Sequence, residues 1–161
     1  MTYFICQSEF QKDLESLFSF HEDPKGFESL VALSEGIEVI QRPNSLAVGE
    51  TAILRVPIFL KIKATWVAKH ILYEKNKIFV DQQISGPFSF FEHHHKFKKI
   101  SDQVSVLTDQ IEIRFPFWSI SKWFLLPILK KQFIERHKTT AKLLNCQAKL
   151  MFCGYSVSII D

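Results

Sequence analysis

Apolar and polar residues alternate with a period of two through the middle of the chain, and this alternation predicts a run of β-strands. The clearest case is residues 62–72, where apolar side chains alternate with lysine and threonine, the pattern of a strand with one buried face. Residues 75–77, Lys-Asn-Lys, predict a tight turn into the next strand. Further strands are predicted at residues 1–6, 37–41, 51–59, 78–85, 89–99 and 104–115.

Helical periodicity occurs on both sides of the strand region. Apolar residues recur at helical intervals from Phe10, and Ser8 is the predicted N-cap because Gln11 stands three residues on, the spacing of a capping box. Pro24 suits the first turn of a second short helix. After Pro116, apolar residues recur at multiples of about four, which predicts a long amphipathic helix up to about residue 145.

Together these elements predict an α+β fold. A sheet with one apolar face needs a cover, and the C-terminal helix is the only predicted element long enough to provide it. We expect a curved antiparallel sheet of about six to seven strands wrapped around that helix, with two short helices after the first strand. An apolar cavity is expected between the sheet and the helix. The domain is assigned to residues 1–145, and residues 146–161 are expected to form a C-terminal extension, either an edge strand or a tail.

Composition indicates a cytoplasmic protein of one domain. The chain has 161 residues, 47% of them hydrophobic, and no apolar stretch near the roughly 18 residues that a membrane span requires. The N-terminal residues carry no basic leader, so no signal peptide is predicted. The three cysteines stand at no metal or redox spacing and are expected to be reduced thiols. A net charge of +3 is too small to indicate a nucleic-acid partner.

Positive charge is concentrated on the predicted C-terminal helix. Lys122, Lys130 and Lys131 lie near Trp118 and Trp123 at its start. Such a basic stripe is usually the solvated face of a helix, yet it also favours an anionic membrane surface by about 1 kcal/mol per well-placed cation. A transient contact with a membrane surface is therefore one hypothesis for this region.

Several local strings resemble a known superfamily. Residues 79–88, Phe-Val-Asp-Gln-Gln-Ile-Ser-Gly-Pro-Phe, resemble its Phe-x-Asp-x-Gln-x-x-Gly-Pro-aromatic stretch, and residues 91–97 resemble its Trp-x-His-x-His-x-Phe strand with Phe in the place of Trp. Residues 109–116 are similar to an Asp-x-Val-x-Tyr-x-x-Pro strand in which isoleucine replaces Tyr, and residues 133–136 to an aromatic-x-x-Arg pair. The superfamily is the START-like group, also called SRPBCC or the birch-pollen-allergen fold, and the chain looks like a small bacterial member related to polyketide cyclases and coenzyme-Q-binding proteins.

This resemblance covers roughly residues 1–145 and implies a helix-grip fold around a ligand cavity. Members bind hydrophobic or aromatic molecules such as lipids, isoprenoid quinones and polyketides. Some members are enzymes, whereas many only carry or sense a ligand, so the resemblance implies a ligand class rather than a reaction. The predicted ligand-binding residues are Trp66, Phe79, Asp81, Gln83, Phe91, His93, His95, Phe97, Asp109, Phe115 and Phe133.

Polar residues on the predicted inner face form the candidate chemical site. The charged face of the strand at residues 89–99 must meet solvent, so His93 and His95 point inward and His94 points outward. Asp81 is predicted to lie inward on the neighbouring strand, and His70 on the strand before it is a minor pocket candidate.

Three interpretations of this inward group stay open. The residues can satisfy one another in a buried polar network, since a lone buried carboxylate or imidazole is costly. They can bind the polar end of an otherwise apolar ligand. They can also carry chemistry, with His93, His95 and Asp81 as acid/base candidates or as metal ligands. Spacing fixes no third metal ligand, so no metal and no cofactor are assigned.

We favour a carrier or sensor of a small hydrophobic ligand over an enzyme. The first alternative is a cyclase, aromatase or dehydratase that uses the inward histidines and Asp81 as acid and base. The second is a protein-interaction module with a packed interior. Alanine at both inward histidines separates the first two, because it should abolish turnover in an enzyme but only weaken binding in a carrier.

Overall fold

The computed structural model describes residues 3–34, 36–59, 62–114 and 117–157. Within them the chain folds into eight strands and three helices, and the predicted α+β class is confirmed. In chain order the elements are β1 (Tyr3–Phe10), α1 (Leu14–Glu22), α2 (Pro24–Val31), β2 (Glu38–Gln41), β3 (Thr51–Phe59), β4 (Ile62–Glu74), β5 (Ile78–Ser85), β6 (Phe90–Ser101), β7 (Val104–Arg114), α3 (Trp118–Leu143) and β8 (Ala148–Ser156).

All eight strands belong to one antiparallel sheet with the order β2-β3-β4-β5-β6-β7-β1-β8. Strands β3 to β7 follow one another as hairpins, and β1 then pairs with β7. The predicted count of six to seven strands was low because residues 148–156 form an edge strand on β1. This arrangement is the expected helix-grip fold, with two short helices after the first strand and one long helix near the C-terminus.

The first helix begins later than its predicted N-cap. Ser8 lies inside β1, which continues to Phe10 because it pairs with β7 along its length. Asp13 caps α1 instead, and its carboxylate accepts a hydrogen bond from the Ser16 backbone N–H at 2.8 Å. The prediction for Ser8 was therefore wrong, since pairing with a distant strand outweighed a local capping signal.

Helix α3 packs chiefly against β8 and β1, at one side of the sheet. It is a helix of 26 residues that continues through Pro127. Within the part of the chain that the structure describes, no helix is both long and apolar enough to cross a membrane.

The interior is divided into two apolar clusters with polar residues between them. The first apolar layer lies toward α1 and contains Phe10, Leu17, Phe18, Leu46, Phe79, Phe97, Leu107 and Ala141. The second apolar layer lies under the middle of α3 and contains Phe4, Cys6, Phe91, Ile111, Ile113, Leu129 and Phe133. On β6 the inward residues run from Phe97 through two histidines to Phe91, so the strand itself separates the layers.

The three cysteines are free thiols. Cys6 is buried in the second apolar layer, whereas Cys146 and Cys153 are partly exposed.

Candidate functional site

A group of seven buried or half-buried polar side chains lies between the two apolar layers. It joins four neighbouring strands, β1 and α3, and we call it the polar layer. Its members are Ser8, His70, Asp81, His93, His95, Asp109 and His137.

Strand register brings the first half of the polar layer together. Asp81 on β5 lies directly opposite His70 on β4 and His93 on β6. Its Oδ1 atom is 3.1 Å from His70 Nδ1, and its Oδ2 atom accepts a hydrogen bond from His95 Nε2 at 3.1 Å. His93 Nδ1 lies 3.8 Å from the same Oδ2. One carboxylate therefore faces three imidazole rings.

Asp109 on β7 organises the second half. It lies opposite His95 in register, and its Oδ1 atom accepts a hydrogen bond from His93 Nε2 at 2.8 Å. His95 Nδ1 is 2.9 Å from the same oxygen, and His137 Nε2 donates to Oδ2 at 2.8 Å. His137 Nδ1 then shares a hydrogen bond of 2.7 Å with the Ser8 hydroxyl. The polar contacts thus continue from β4 to the helix.

Burial and charge shift the pKa values of this group in opposite directions. Burial disfavours a charged carboxylate, but the adjacent histidines outweigh it and hold the pKa of Asp81 and of Asp109 well below their usual range. Burial, followed by the charge of His95, lowers the pKa of His93 to about 4. Burial also acts on His95, but its two carboxylate neighbours outweigh it and raise the pKa of that ring. The geometry therefore favours a positive charge on His95, between two carboxylates.

The predicted inward direction of the candidate residues agrees with their burial. On β6, His93 and His95 are buried, whereas His94 points to the outer face and contacts Glu92 at 2.7 Å. Asp109 is fully buried, and Asp81 keeps 22% of its side chain exposed. This placement does not itself test a role in ligand binding, which stays a prediction.

Gln83 lies beside the polar layer but is engaged elsewhere. Its side-chain amide donates to the Phe88 carbonyl at 2.7 Å and accepts from the Phe88 backbone N–H at 3.4 Å. A Cβ at Gly86 would lie only 2.5 Å from Gln83 Oε1, so the glycine permits this close approach. Gln83 therefore fixes the β5–β6 connection.

The aromatic residues predicted to line a cavity pack against other side chains of the core. Phe97 meets Phe18 of α1 with ring centroids 4.9 Å apart, and Phe79 stacks on His95 at 4.0 Å. Trp66 packs edge-on against Phe91 at 4.8 Å. Phe133 of α3 completes the second apolar layer, and Phe115 lies outside the described residues.

Surface depressions lined by described residues occur at both ends of α3. One, of about 370 Å³, lies between α1, α2 and the end of α3. Another, of about 440 Å³, lies between the start of α3 and β8, where Lys122 and Trp123 face Phe152 and Tyr155. Neither contains a residue of the polar layer, and the predicted interior cavity stays a prediction.

Sequence reasoning missed two members of the polar layer. His137 and Ser8 were not among the candidates, although His137 stands four residues after Phe133 on the inward side of α3. That helical spacing was the available signal. Ser8 was assigned to a helix cap, which removed it from consideration as an inward strand residue.

This arrangement can do three kinds of chemistry. It can hold a buried charge pair without a ligand, present Asp81 to a polar group that enters from solvent, or move a proton between carboxylates and imidazoles. Each use rests on the same short contacts between carboxylate oxygens and ring nitrogens.

Comparison with known proteins identifies the fold. No family model matches the sequence, and no curated protein sequence matches it. Norcoclaurine synthase from Thalictrum flavum is similar in structure, with a TM-score of 0.65 and 16% identity over 90% of this chain and 87% of that one.

Two further solved structures are similar over nearly the whole chain. The Zhui aromatase/cyclase from a Streptomyces species has a TM-score of 0.65 and 10% identity over 90% of this chain and 94% of that chain. An HSP90 activator from Plasmodium falciparum has a TM-score of 0.63 and 16% identity over 92% of this chain and 100% of that chain. At these identities the likeness shows a shared fold.

Proposed function

We propose that this chain, which has the START-like (SRPBCC) fold, is a cytoplasmic carrier of a small hydrophobic ligand that it exchanges at an anionic membrane surface. The proposal rests on a change from apolar to charged side chains along the outward face of α3. In its first half this face is apolar, with Phe124 72% and Trp123 63% exposed, and Phe117 just before the helix is 86% exposed. In its second half the same face is charged.

The spacing of residues shows that both halves belong to one face. Phe124, Ile128 and Lys131 follow one another at helical intervals, and Glu135 and Lys138 continue the series; all five are exposed. A helix face in water is expected to be polar along its whole length, so its apolar half indicates a partner of low polarity.

The apolar half is continuous with exposed apolar residues of β8. The depression of about 440 Å³ between them joins Trp123 to Phe152. Lys122 lies over the Trp123 ring at 5.4 Å, while Lys130 and Lys131 follow on the helix. Aromatic side chains with adjacent lysines match the interface of an anionic bilayer, where rings insert and cations meet phosphate groups.

The interior supports a ligand that is mostly apolar. Phenylalanine supplies four of the eight residues of the first apolar layer and three of the seven of the second, and flat rings suit isoprenoid tails or ring systems. The partly exposed Asp81 carboxylate is the member of the polar layer that a ligand's polar end would contact. Affinity would come mainly from buried apolar area, at roughly 25 cal/mol per Å² before the costs of association.

Vesicle co-sedimentation tests the membrane part of this proposal. Wild-type protein should bind phosphatidylserine-rich vesicles more strongly than vesicles of phosphatidylcholine alone. Phe124→Ser should weaken binding by about tenfold, because a buried aromatic ring is lost from the interface. Leu143→Ser, an exposed apolar residue at the other end of α3, should leave binding unchanged.

Charge reversal provides a second matched pair. Lys130→Glu with Lys131→Glu should reduce binding to anionic vesicles by about tenfold or more, whereas Lys138→Glu with Lys142→Glu makes the same charge change in the charged half and should have a much smaller effect. If both pairs lost vesicle binding equally, binding would depend only on the net charge of the protein. That result would contradict docking by the first half of α3.

The ligand itself is tested by native mass spectrometry of protein purified from its own host, with organic extraction of bound molecules. A stoichiometric lipid, quinone or polyketide would support the carrier. Protein that contains no such molecule, and takes up no fluorescent lipid, would contradict it and favour a protein-interaction module, an interpretation that the close aromatic packing of the interior also favours.

The second candidate function is an acid/base enzyme. It is favoured by the contacts of Asp81 with His95 and of Asp109 with His93, which place proton donors and acceptors within 3.1 Å of each other. Two of the similar structures are a norcoclaurine synthase and an aromatase/cyclase. Alanine at His93 and His95 separates the functions, since it should abolish turnover by an enzyme but leave vesicle docking by α3 intact.

A further inference from the structure

Three atoms of the polar layer converge in a way that fits a metal ion. Asp81 Oδ2 lies 3.1 Å from His95 Nε2 and 3.8 Å from His93 Nδ1. One ligand atom from each of the three residues lies within 4.8 Å of the others. Tetrahedral ligand atoms at about 2.0–2.2 Å from Zn²⁺ are separated by about 3.3–3.6 Å. The two observed distances bracket that range.

The opposite sides of both imidazole rings are held by one carboxylate. Asp109 Oδ1 lies 2.8 Å from His93 Nε2 and 2.9 Å from His95 Nδ1. A carboxylate behind a metal-binding histidine fixes its tautomer and raises its basicity, and metal sites use this arrangement repeatedly. Here the hydrogen bond from His93 Nε2 to Asp109 leaves His93 Nδ1 free to bind, whereas at His95 an ion would displace the Nε2 proton that Asp81 accepts in the free protein.

Asp81 also has a neighbouring residue that fixes the direction of its ligand atom. Its Oδ1 atom is 3.1 Å from His70 Nδ1, so Oδ2 is the oxygen directed at the two histidines. The 22% exposure of the Asp81 side chain gives an ion a route from solvent. The register of β5 and β6 thus supplies the third ligand that residue spacing alone did not fix.

Hydrogen bonding does not account for all the contacts in this cluster. His70 Nδ1 and His95 Nδ1 are buried and within 3.1 Å of carboxylate oxygens, yet neither has an aligned hydrogen-bond partner among the described residues. A network selected only for mutual hydrogen bonding would be expected to align these groups.

We propose that Asp81, His93 and His95 bind one divalent transition-metal ion of the Zn²⁺ class, with a fourth position open to water or to a ligand atom. Two imidazole nitrogens and one carboxylate oxygen suit Zn²⁺, Co²⁺ and Fe²⁺ better than Mg²⁺ or Ca²⁺, which prefer oxygen ligands. The proposal does not depend on membrane docking or on a carried ligand, because metal binding is measured on the free protein.

The test is a titration of metal-free, full-length protein with Zn²⁺ in competition with a chromophoric chelator. One equivalent of Zn²⁺ should bind, and Co²⁺ should give the visible absorption of a four- or five-coordinate site. Asp81→Asn, which keeps the shape of the side chain, should weaken Zn²⁺ binding by about a hundredfold or more, as should His95→Gln.

His94→Gln is the matched control. It removes the outward histidine between the two proposed ligands, so Zn²⁺ affinity and the Co²⁺ spectrum should not change. Circular dichroism and thermal unfolding of each metal-free variant establish that it is folded. If His95→Gln does not fold, the partly exposed Asp81→Asn remains the deciding variant.

Zn²⁺ binding that is lost in His94→Gln would place the ion on the outer face, at His94 and Glu92, and would overturn the proposal. Folded Asp81→Asn that binds Zn²⁺ as tightly as the wild type would overturn it as well. So would wild-type protein that takes up less than one equivalent of Zn²⁺ in the presence of the competing chelator.

Discussion

The polar layer and the two apolar layers are built by the same elements but are stabilised differently. An apolar layer needs matched volume, and its side chains can shift slightly after a substitution. The polar layer needs matched partners, because each buried carboxylate faces histidines whose removal would leave it uncompensated. Residues two apart on one face of a strand, such as Asp109 and Ile111, therefore differ in how much stability a small chemical change removes.

Loss of the Asp109 charge is expected to have the largest effect on stability. Asp109→Asn changes the volume little but removes the partner of His93, His95 and His137, so the free energy of unfolding should fall by about 3–5 kcal/mol. Urea unfolding at neutral pH measures it. Asp102→Asn, which affects an exposed surface pair with Lys99, should leave the midpoint unchanged. A loss of unfolding free energy no larger than that caused by removing one methylene group from an apolar layer would show that the two kinds of layer are stabilised alike.

The pH dependence of stability should reveal the contribution of His21, a buried histidine that lies outside the polar layer. His21 packs on Phe97 beside the first apolar layer, and burial lowers its pKa from 6.5 to about 3. The unfolded chain therefore takes up a proton that the folded chain does not, and stability falls as the pH drops from 6.5 toward 3.

Between pH 6.5 and pH 5 this difference should cost about 2 kcal/mol. His21→Leu should reduce the stability difference between those two pH values by about that amount, measured by urea unfolding at each pH. The remaining pH dependence would combine a loss from His93, whose pKa is also lowered, to about 4, with an opposing gain from His95, whose pKa is raised. An unchanged pH dependence in His21→Leu would show that His21 is not kept neutral by burial.

At the end of the polar layer, Ser8→Ala should have a smaller effect. The substitution removes the hydroxyl that shares a hydrogen bond of 2.7 Å with His137 Nδ1, and a cost of about 1–2 kcal/mol is expected because that nitrogen stays buried. Thermal and urea unfolding measure this cost. Combined with Asp109→Asn, the loss should be less than additive, since both act on His137.

The apolar comparison is Ile111→Val, for which the smallest effect is expected. Ile111 is two residues from Asp109 on the same face of β7 and fully buried, and removal of one methylene group should cost about 1 kcal/mol. Urea unfolding under the conditions used for Asp109→Asn gives a direct comparison. A cost equal to that of Asp109→Asn would show that packing, rather than charge pairing, dominates both layers.

Much of the sheet could be predicted from local patterns. Strand β5 has the predicted bounds because a turn precedes it and Gly86-Pro87 follows it. The inward direction of His93 and His95 followed from alternation with charged residues on β6. These features depend on residues close in sequence, where the period of a strand is visible.

What could not be predicted depends on long-range placement. The contact of His137 with Asp109 requires the rotation of α3 about its axis, which no local pattern fixes. Ser8 resembled a helix cap because pairing with β7 is not visible near it in sequence. Asp81 was a candidate for the third ligand of the proposed metal site, but its position opposite His93 depends on the register of β5 and β6, which residue spacing does not fix.

The polar layer also has a consequence for misfolding. A strand that slips by two residues keeps its apolar side chains facing inward, so hydrophobic patterning alone does not penalise the error. In this protein a slip of β7 that set Asp109 opposite Phe97 would carry the carboxylate to the level of the first apolar layer and leave His95 facing Ile111. A misaligned sheet would bury an unpaired charge, and this energetic gap between the native alignment and its nearest competitors helps the chain avoid kinetic traps.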